Sequence, residues 1–367
     1  MAGSQMASRQ AAHNASCRGA GKGVSSVKIG ILTSGGDCPG LNAVIRGAVL
    51  NGIKQYGHEF VGFLDGWRGV VEGDVMDLPR QSVRGISKQG GTILGTSRTN
   101  PFEGNGGPEA IGKQLARRGI DGMIAIGGEG TLAAAHRISE AGLKIVGVPQ
   151  TVDNDLDVTD YTFGFDTAVQ IATEGIDRLR TTGESHHRCM VAEVMGRHAG
   201  WIALHAGMAS GAHAILIPEQ QVSMDQIVEW VTDAHKRGRA PLVVVAEGFM
   251  PEGTETAHSH RGLDAFGRPR LGGIADQLAP EIEARTGLET RATVLGHIQR
   301  GGVPTAYDRV LATRLGMAAA DSAAAENWGT MVALRGTEIV RAHFSSALGR
   351  LKTVPQHRHD EAVTLFG

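Results

Sequence analysis

The stretch Pro149-Gln150-Thr151-Val152-Asp153-Asn154-Asp155 follows the apolar run Lys144-Ile145-Val146-Gly147-Val148, which reads as a buried strand. It puts two carboxylates, two residues apart, at the C-terminal end of that strand, with a hydroxyl just before them. In open α/β sheets ligands bind at that edge. The pattern suits a base that takes a proton from a substrate hydroxyl while a phosphoryl group arrives. The plainer reading of Asp153 is a helix N-cap or an Asx-turn, common uses of Asp and Asn after a strand. Asn154 alone can fill that need, and three polar residues in a row exceed it. Asp153 is therefore the candidate base, and Asp155 either reaches a metal ion or orients Asp153.

The same grammar of apolar run, Gly-rich or polar turn, then helical periodicity recurs outward from this stretch. Lys28–Leu32 leads into Thr33-Ser34-Gly35-Gly36-Asp37, and Gly122–Ile126 into Gly127-Gly128-Glu129-Gly130-Thr131. Cys189–Val194 leads into Met195-Gly196-Arg197-His198-Ala199-Gly200, and Ala292–Leu295 into Gly296-His297-Ile298-Gln299-Arg300-Gly301-Gly302. Ala214–Ile217 ends at Pro218-Glu219, and Leu242–Ala246 ends at Glu247-Gly248. Near-continuous apolar strands alternating with helices predict an α/β fold with mainly parallel sheets covered on both faces. Their number, with shorter runs such as Phe60–Leu64, predicts two sheets. Residues 252–271 read as a polar loop or hairpin, and residues 1–26 as a disordered extension.

The chain has 367 residues and 53 glycines, which cluster at strand ends and mark tight turns and close backbone approach. A net charge of −2 points away from nucleic acid and acidic membranes. The three cysteines, Cys17, Cys38 and Cys189, form no C-x-x-C pair, which predicts a reducing cytoplasm and neither disulfides nor structural zinc. Gly19-Ala20-Gly21-Lys22-Gly23 lacks the full phosphate-loop pattern and a preceding strand. His357 and His359 have no third ligand in reach and read as solvated.

The two glycine turns, each with an acid, predict anion sites at helix N-termini. Thr131 either donates to a phosphate or caps a helix beginning at Leu132. Glu129 suits Mg²⁺, which usually takes one or two protein carboxylates beside substrate phosphates. Arg98, Arg188, Arg197, Arg291, His297 and Arg300 lie in or beside the turn motifs, as a phosphoryl transfer between two phosphorylated substrates requires. Glu247 is suited equally to a sugar hydroxyl and to a nearby arginine. Glu193, inside a strand, reads as a buried paired acid.

Together these motifs resemble the phosphofructokinase family of the bacterial ATP type, in the actinobacterial branch that holds both ATP- and pyrophosphate-using enzymes. The likeness runs from about Lys28 to the C-terminus and includes Gly196-Arg197-His198-Ala199-Gly200-Trp201 and Pro304-Thr305-Ala306-Tyr307-Asp308-Arg309. It implies that Asp153 deprotonates the C1 hydroxyl of fructose 6-phosphate. Thr151 and Arg98 would stabilise the moving phosphoryl group. Gly36, Trp67, Thr99, Gly128, Glu129, Gly130, Thr131 and Gln150 would contact Mg-ATP. Asp155, Met195, Gly196, Arg197, Glu247, His297 and Arg300 would line the sugar phosphate. Arg188 and Arg291 would reach in from a neighbouring subunit, implying a homodimer or homotetramer.

Two positions report the donor in this family. Pyrophosphate enzymes carry Asp where this chain has Gly130, so Gly130 leaves room for the ATP α-phosphate. Gln150 stands where Gly or Lys is usual. A lost charge there costs roughly 2–4 kcal/mol, or about 10²–10³ in rate. Three readings are open: an ATP-dependent 6-phosphofructokinase, a paralogue for another sugar phosphate such as sedoheptulose 7-phosphate, and a weakly active sugar-phosphate-binding regulatory subunit. The expected organisation is a nucleotide domain of residues 27–163 and 299–330 and a sugar-phosphate domain of residues 164–298 and 331–367, with the site in the cleft between them.

Overall fold

The computed structural model describes residues 26–104, 106–253 and 272–366. The expected N-terminal extension, save Ser26, and nearly all of the 252–271 loop lie outside the described residues.

Every sheet interior is a strand whose side chains alternate between two apolar layers. The first sheet has seven strands in the order β11-β10-β5-β4-β1-β2-β3. These are β1 (Lys28–Ser34), β2 (Glu59–Phe63), β3 (Val75–Asp77), β4 (Gly122–Gly127), β5 (Ile145–Pro149), β10 (Thr330–Arg335) and β11 (Glu338–His343). The second has four parallel strands in the order β7-β8-β6-β9: β6 (Cys189–Val194), β7 (Ala214–Leu216), β8 (Leu242–Ala246) and β9 (Thr290–Val294).

Ile29 and Ile31 of β1 enter one core and Leu32 enters another on the opposite face. Met190, Ala192 and Val194 of β6 join the same core as Ile29 and Ile31, while Cys189 and Val191 face a third. One apolar body is thus shared by both sheets, and each sheet is also covered on its outer face. This is why the strand sequences read as continuous apolar runs rather than alternating ones.

The helices Leu41–Tyr56 and Ala306–Ala324 cross in close contact within the shared core. A Cβ on Gly47 would lie 2.5 Å from the Thr313 carbonyl oxygen, and one on Gly316 would lie 2.2 Å from that of Val44. The two glycines allow the backbones to touch.

The expected return of residues 331–367 to the second domain is corrected by the strand pairing. β10 pairs with β5 and carries β11 antiparallel at its far edge, so both belong to the first sheet. The terminal helix Gln356–Val363 lies on the second, against the helix Trp201–Ala209 and β7. That packing corrects another expectation. His359 is buried, with Nε2 3.3 Å from the Ile215 carbonyl oxygen, rather than solvated. Among the described residues no helix is long and apolar enough to cross a membrane.

Candidate active site

Strand register brings the motifs together. Ser34 of β1 lies beside Gly127 of β4, and Gly127 beside Pro149 of β5, so the turns after the three strands emerge as neighbours. The chain steps from β1 to β2 on one side and to β4 on the other, which makes the β1–β4 boundary the switch point where such sheets bind ligands. In the second sheet Val194 lies beside Ala246, and Glu193 beside Val294. Met195, Glu247 and the turn after β9 therefore also converge. The two edges line one cavity of about 1110 Å³.

The cavity wall holds Gly36, Trp67, Arg98, Thr99, Gly128, Glu129. It continues through Gly130, Thr131, Gln150, Thr151, Asp153 and Asp155 on the first-sheet side. Met195, Arg197, Glu247, His297 and Arg300 complete it from the second. Gly196 lies between two of these, with its backbone at φ 139°. Arg188 and Arg291 lie elsewhere. They sit at the N-terminal ends of β6 and β9, the opposite edge of the sheet, where Glu289 pairs with both.

Asp153 is held from its own loop, its N–H donating to Thr151 Oγ1 at 3.1 Å. Its Oδ1 is fully shielded from solvent and has no hydrogen-bond partner. Burial raises its carboxyl to about 6, against the pull of Arg300; Glu247 pushes it further up and Arg197 down. Asp155 is raised to about 6 by burial, then by Asp153, with a further push from Glu129. Burial, and after it Glu193, raises Glu247. Asp153 also lines the cavity, where a carboxylate so raised can accept a proton from a bound hydroxyl.

The donor side is built on the helix Glu129–Glu140, whose N-cap is Gly128. The helix begins three residues earlier than expected from Thr131. The Thr131 hydroxyl donates to the Ser34 carbonyl at 3.0 Å, tying the two glycine turns together instead of capping. Glu129 is exposed in the first turn, where the helix dipole favours a carboxylate. Asp153 and Glu129 both press on Asp155, a local excess of negative charge that a cation beside it would relieve, although among the described residues no three acidic, histidine or cysteine side chains gather to hold a metal by themselves. The donor set suits Mg²⁺ held partly by substrate phosphates.

The Arg98 loop is fixed to the end of β1. Gly35 N–H and Ser34 Oγ both donate to the Ser97 carbonyl at 3.0 Å. Across the cleft, Arg300 Nη1 donates to the Asp37 carbonyl at 3.0 Å, and a Cβ on Gly36 would lie 2.8 Å from the same nitrogen. A side chain at position 36 would push that guanidinium away from the turn.

Several contributors were not foreseen from the sequence. Gln299 is fully buried, with Oε1 accepting from Met195 N–H at 3.2 Å and Nε2 donating to the Gly296 carbonyl at 3.0 Å, so it locks the two turns of the second sheet. Arg137 stacks on Phe102, 3.7 Å from the ring centroid, and both line the cavity with Ala133. Glu129, Ala133 and Arg137 recur every fourth residue on one helix face, a spacing that carried the signal. Gln150 is buried and its side chain hydrogen-bonds the buried Cys38 thiol, whose pKa burial raises. Glu193 is buried as expected, but its partners are the N–H groups of Gly273 and Ala275 at 3.0 Å, at the start of the helix Ile274–Thr286.

The phosphofructokinase family profile matches residues 28–323, which takes in both glycine turns, the Asp153 loop and both turns of the second sheet. The chain belongs to the phosphofructokinase family. It is 58% identical over 341 residues to the pyrophosphate–fructose 6-phosphate 1-phosphotransferase of Amycolatopsis methanolica, covering 93% of this chain and 100% of that protein. It is 52% identical over 343 residues to the ATP-dependent 6-phosphofructokinase of Mycobacterium tuberculosis, covering 93% and 100%. Among solved structures, Pichia pastoris phosphofructokinase in the T-state superposes with a TM-score of 0.77 at 33% identity; the match covers 88% of this chain and 35% of that one. The chain is thus a phosphofructokinase-family enzyme whose relatives divide between two phosphoryl donors.

Proposed function

We propose that this phosphofructokinase transfers the γ-phosphoryl group of ATP to the C1 hydroxyl of fructose 6-phosphate. The observation that carries the choice of donor is the space at Gly130. A Cβ there meets no atom within 4 Å, and the cavity continues past it along the helix to Ala133, Ala134 and Arg137. Pyrophosphate needs only the first turn of that helix. The slot beyond, floored by alanines and ended by the Phe102–Arg137 stack, has the flat apolar and cationic surfaces that receive a purine ring.

In this reading Asp153 takes the C1 hydroxyl proton, the freed oxygen attacks the γ-phosphorus in line, and ADP leaves. Arg98 and the Thr151 hydroxyl face the charge that spreads over the moving group. The N–H groups of Gly36 and of the Gly128-Glu129 turn receive the donor phosphates. Glu129 would hold Mg²⁺, which neutralises phosphate charge when bound. Arg197, Glu247, Met195, His297 and Arg300 orient the sugar phosphate, and Arg188 and Arg291 complete it from a second copy.

The test is steady-state transfer to fructose 6-phosphate with Mg-ATP and with Mg-pyrophosphate, for the native protein and for Gly130→Asp. We expect turnover with ATP and little with pyrophosphate, and a fall in kcat/KM for ATP of about 10²-fold or more in Gly130→Asp, because the carboxylate fills the α-phosphate space and repels it. Native turnover with pyrophosphate but not ATP would overturn the reading.

A further inference from the structure

The four residues Leu351-Lys352-Thr353-Val354 run between the Asp153 loop and the second sheet. Leu351 bridges Leu156 in antiparallel fashion, and Lys352 N–H donates to the Asp155 carbonyl at 2.9 Å. On the other side Trp201 Nε1 donates to the Lys352 carbonyl at 2.8 Å. Val354 N–H donates to Glu219 Oε1 at 2.7 Å, and the same carboxylate accepts from Gly200 N–H at 3.1 Å. Gly200 and Trp201 close the turn that begins at Gly196-Arg197. This short strap therefore hydrogen-bonds to the loop bearing the candidate base and to the turn bearing the sugar contacts.

The Lys352 side chain adds a charged anchor. Its ammonium donates to Asn154 Oδ1 at 2.9 Å, to the Thr159 carbonyl at 2.8 Å and to the Asp160 carbonyl at 2.9 Å. Three donors meet three acceptors, so the group is satisfied while half-buried. Asp155, Asp157, Asp160 and Arg335 are the charges around it. Asn154 is the informative acceptor. It lies between Asp153 and Asp155, is buried, and holds φ at 52°, in the left-handed region that asparagine adopts more readily than most residues other than glycine. Its Oδ1 also accepts from Thr162 N–H at 3.1 Å.

We propose that Lys352 is a positioning residue for phosphoryl transfer: through Asn154 it fixes the bend that aims Asp153, and through the strap it sets that loop against the sugar turn. The proposal rests on the reading of Asp153 as the base. Displacing a reacting group by about 1 Å is enough to cost about 10²-fold in rate.

The experiment uses the full chain with its better donor and compares Lys352→Met, Asn154→Ala, the double variant and Asp153→Asn. We expect Lys352→Met to lower kcat by about 10- to 100-fold while KM for the sugar stays within about threefold. The double variant should be no slower than the slower single one, because the lysine acts through the asparagine. Undiminished kcat in Lys352→Met, or losses that multiply in the double variant, would overturn the proposal. Should Lys352→Met not fold, Lys352→Gln keeps two of the donors and is read against Asn154→Ala in the same way. Asp153→Asn reports separately on the base. Full turnover there removes Asp153 from the chemistry, whereas the Lys352–Asn154 coupling is read from the other three proteins.

Discussion

At the scale of single residues, Asp153 is in tension with the fold that holds it. Burial raises its carboxyl to about 6, above the usual carboxylate range, so its ionised form is unfavourable in the folded protein. A raised pKa means that the folded state binds the proton more tightly than the unfolded chain does. The stability from that proton is fully present below the unfolded value and is lost as pH rises through about 6. At neutral pH the group is ionised at the expense of stability, in the state a base requires. Asp153→Asn should therefore lower kcat by about 10²- to 10⁴-fold and raise the Tm at pH 7.5. Calorimetry beside initial rates checks both. In the native enzyme kcat should fall as pH drops below about 6, with Asp155 and Glu247, raised by the same burial, titrating as part of one cluster. The place of Asp153 in the cleft was legible in the sequence because three polar residues in a row after a buried strand exceed what a cap requires. The contacts of Gln150 with Cys38 and of Gln299 with Met195 were not. Each joins residues about a hundred positions apart, and no local pattern encodes such a pairing.

Elements were legible to the extent that burial shaped their composition. β1, β4, β5, β6 and β8 lie between two apolar layers and announced themselves as continuous runs. β3 and β11 escaped because they are edge strands: neither has a fully buried residue, and four of the six residues of β11 are exposed. β10 is buried and apolar but was not singled out from the sequence, and either sheet offers an edge to such a strand. The crossing of Leu41–Tyr56 and Ala306–Ala324 depends on glycines that sequence reading treats as helix weakeners. Their worth is the close approach at Gly47 and Gly316. Gly47→Val drives a side chain into the Thr313 carbonyl and should destabilise the protein by about 3 kcal/mol, measured by chemical denaturation. An unchanged midpoint would show that the helices can separate without loss.

For the molecule as a whole, the arrangement of cations makes a further prediction. Arg197 and Arg300 face the cavity, but Arg188 and Arg291 lie at the far edge of the second sheet, held by Glu289. If they serve a sugar site, it is that of a neighbouring copy. Arg188→Ala and Asp153→Asn should then each be poorly active alone. Together in one cell they should form mixed oligomers in which one site joins an intact Asp153 to an intact Arg188. Recovery of activity on co-expression, above the sum of the two separate proteins, is the expected result; no recovery would confine each site to a single copy.

The sequence alone determined the class of fold, the order of the strand-end motifs and the family, because buried strands need apolar runs and tight ligand turns need glycine and acids at fixed offsets. Tertiary structure decided what those motifs face. Register aligns Ser34 with Gly127 and Gly127 with Pro149, so that three turns distant in the chain share one cleft. It also carried residues 330–343 to the first sheet, set Lys352 beneath Asn154, and separated Arg188 from Arg300 by the length of a strand. These outcomes depend on which surfaces meet when two sheets close over a shared core. That is a property of packing between remote segments, and the order of residues within any one segment does not specify it.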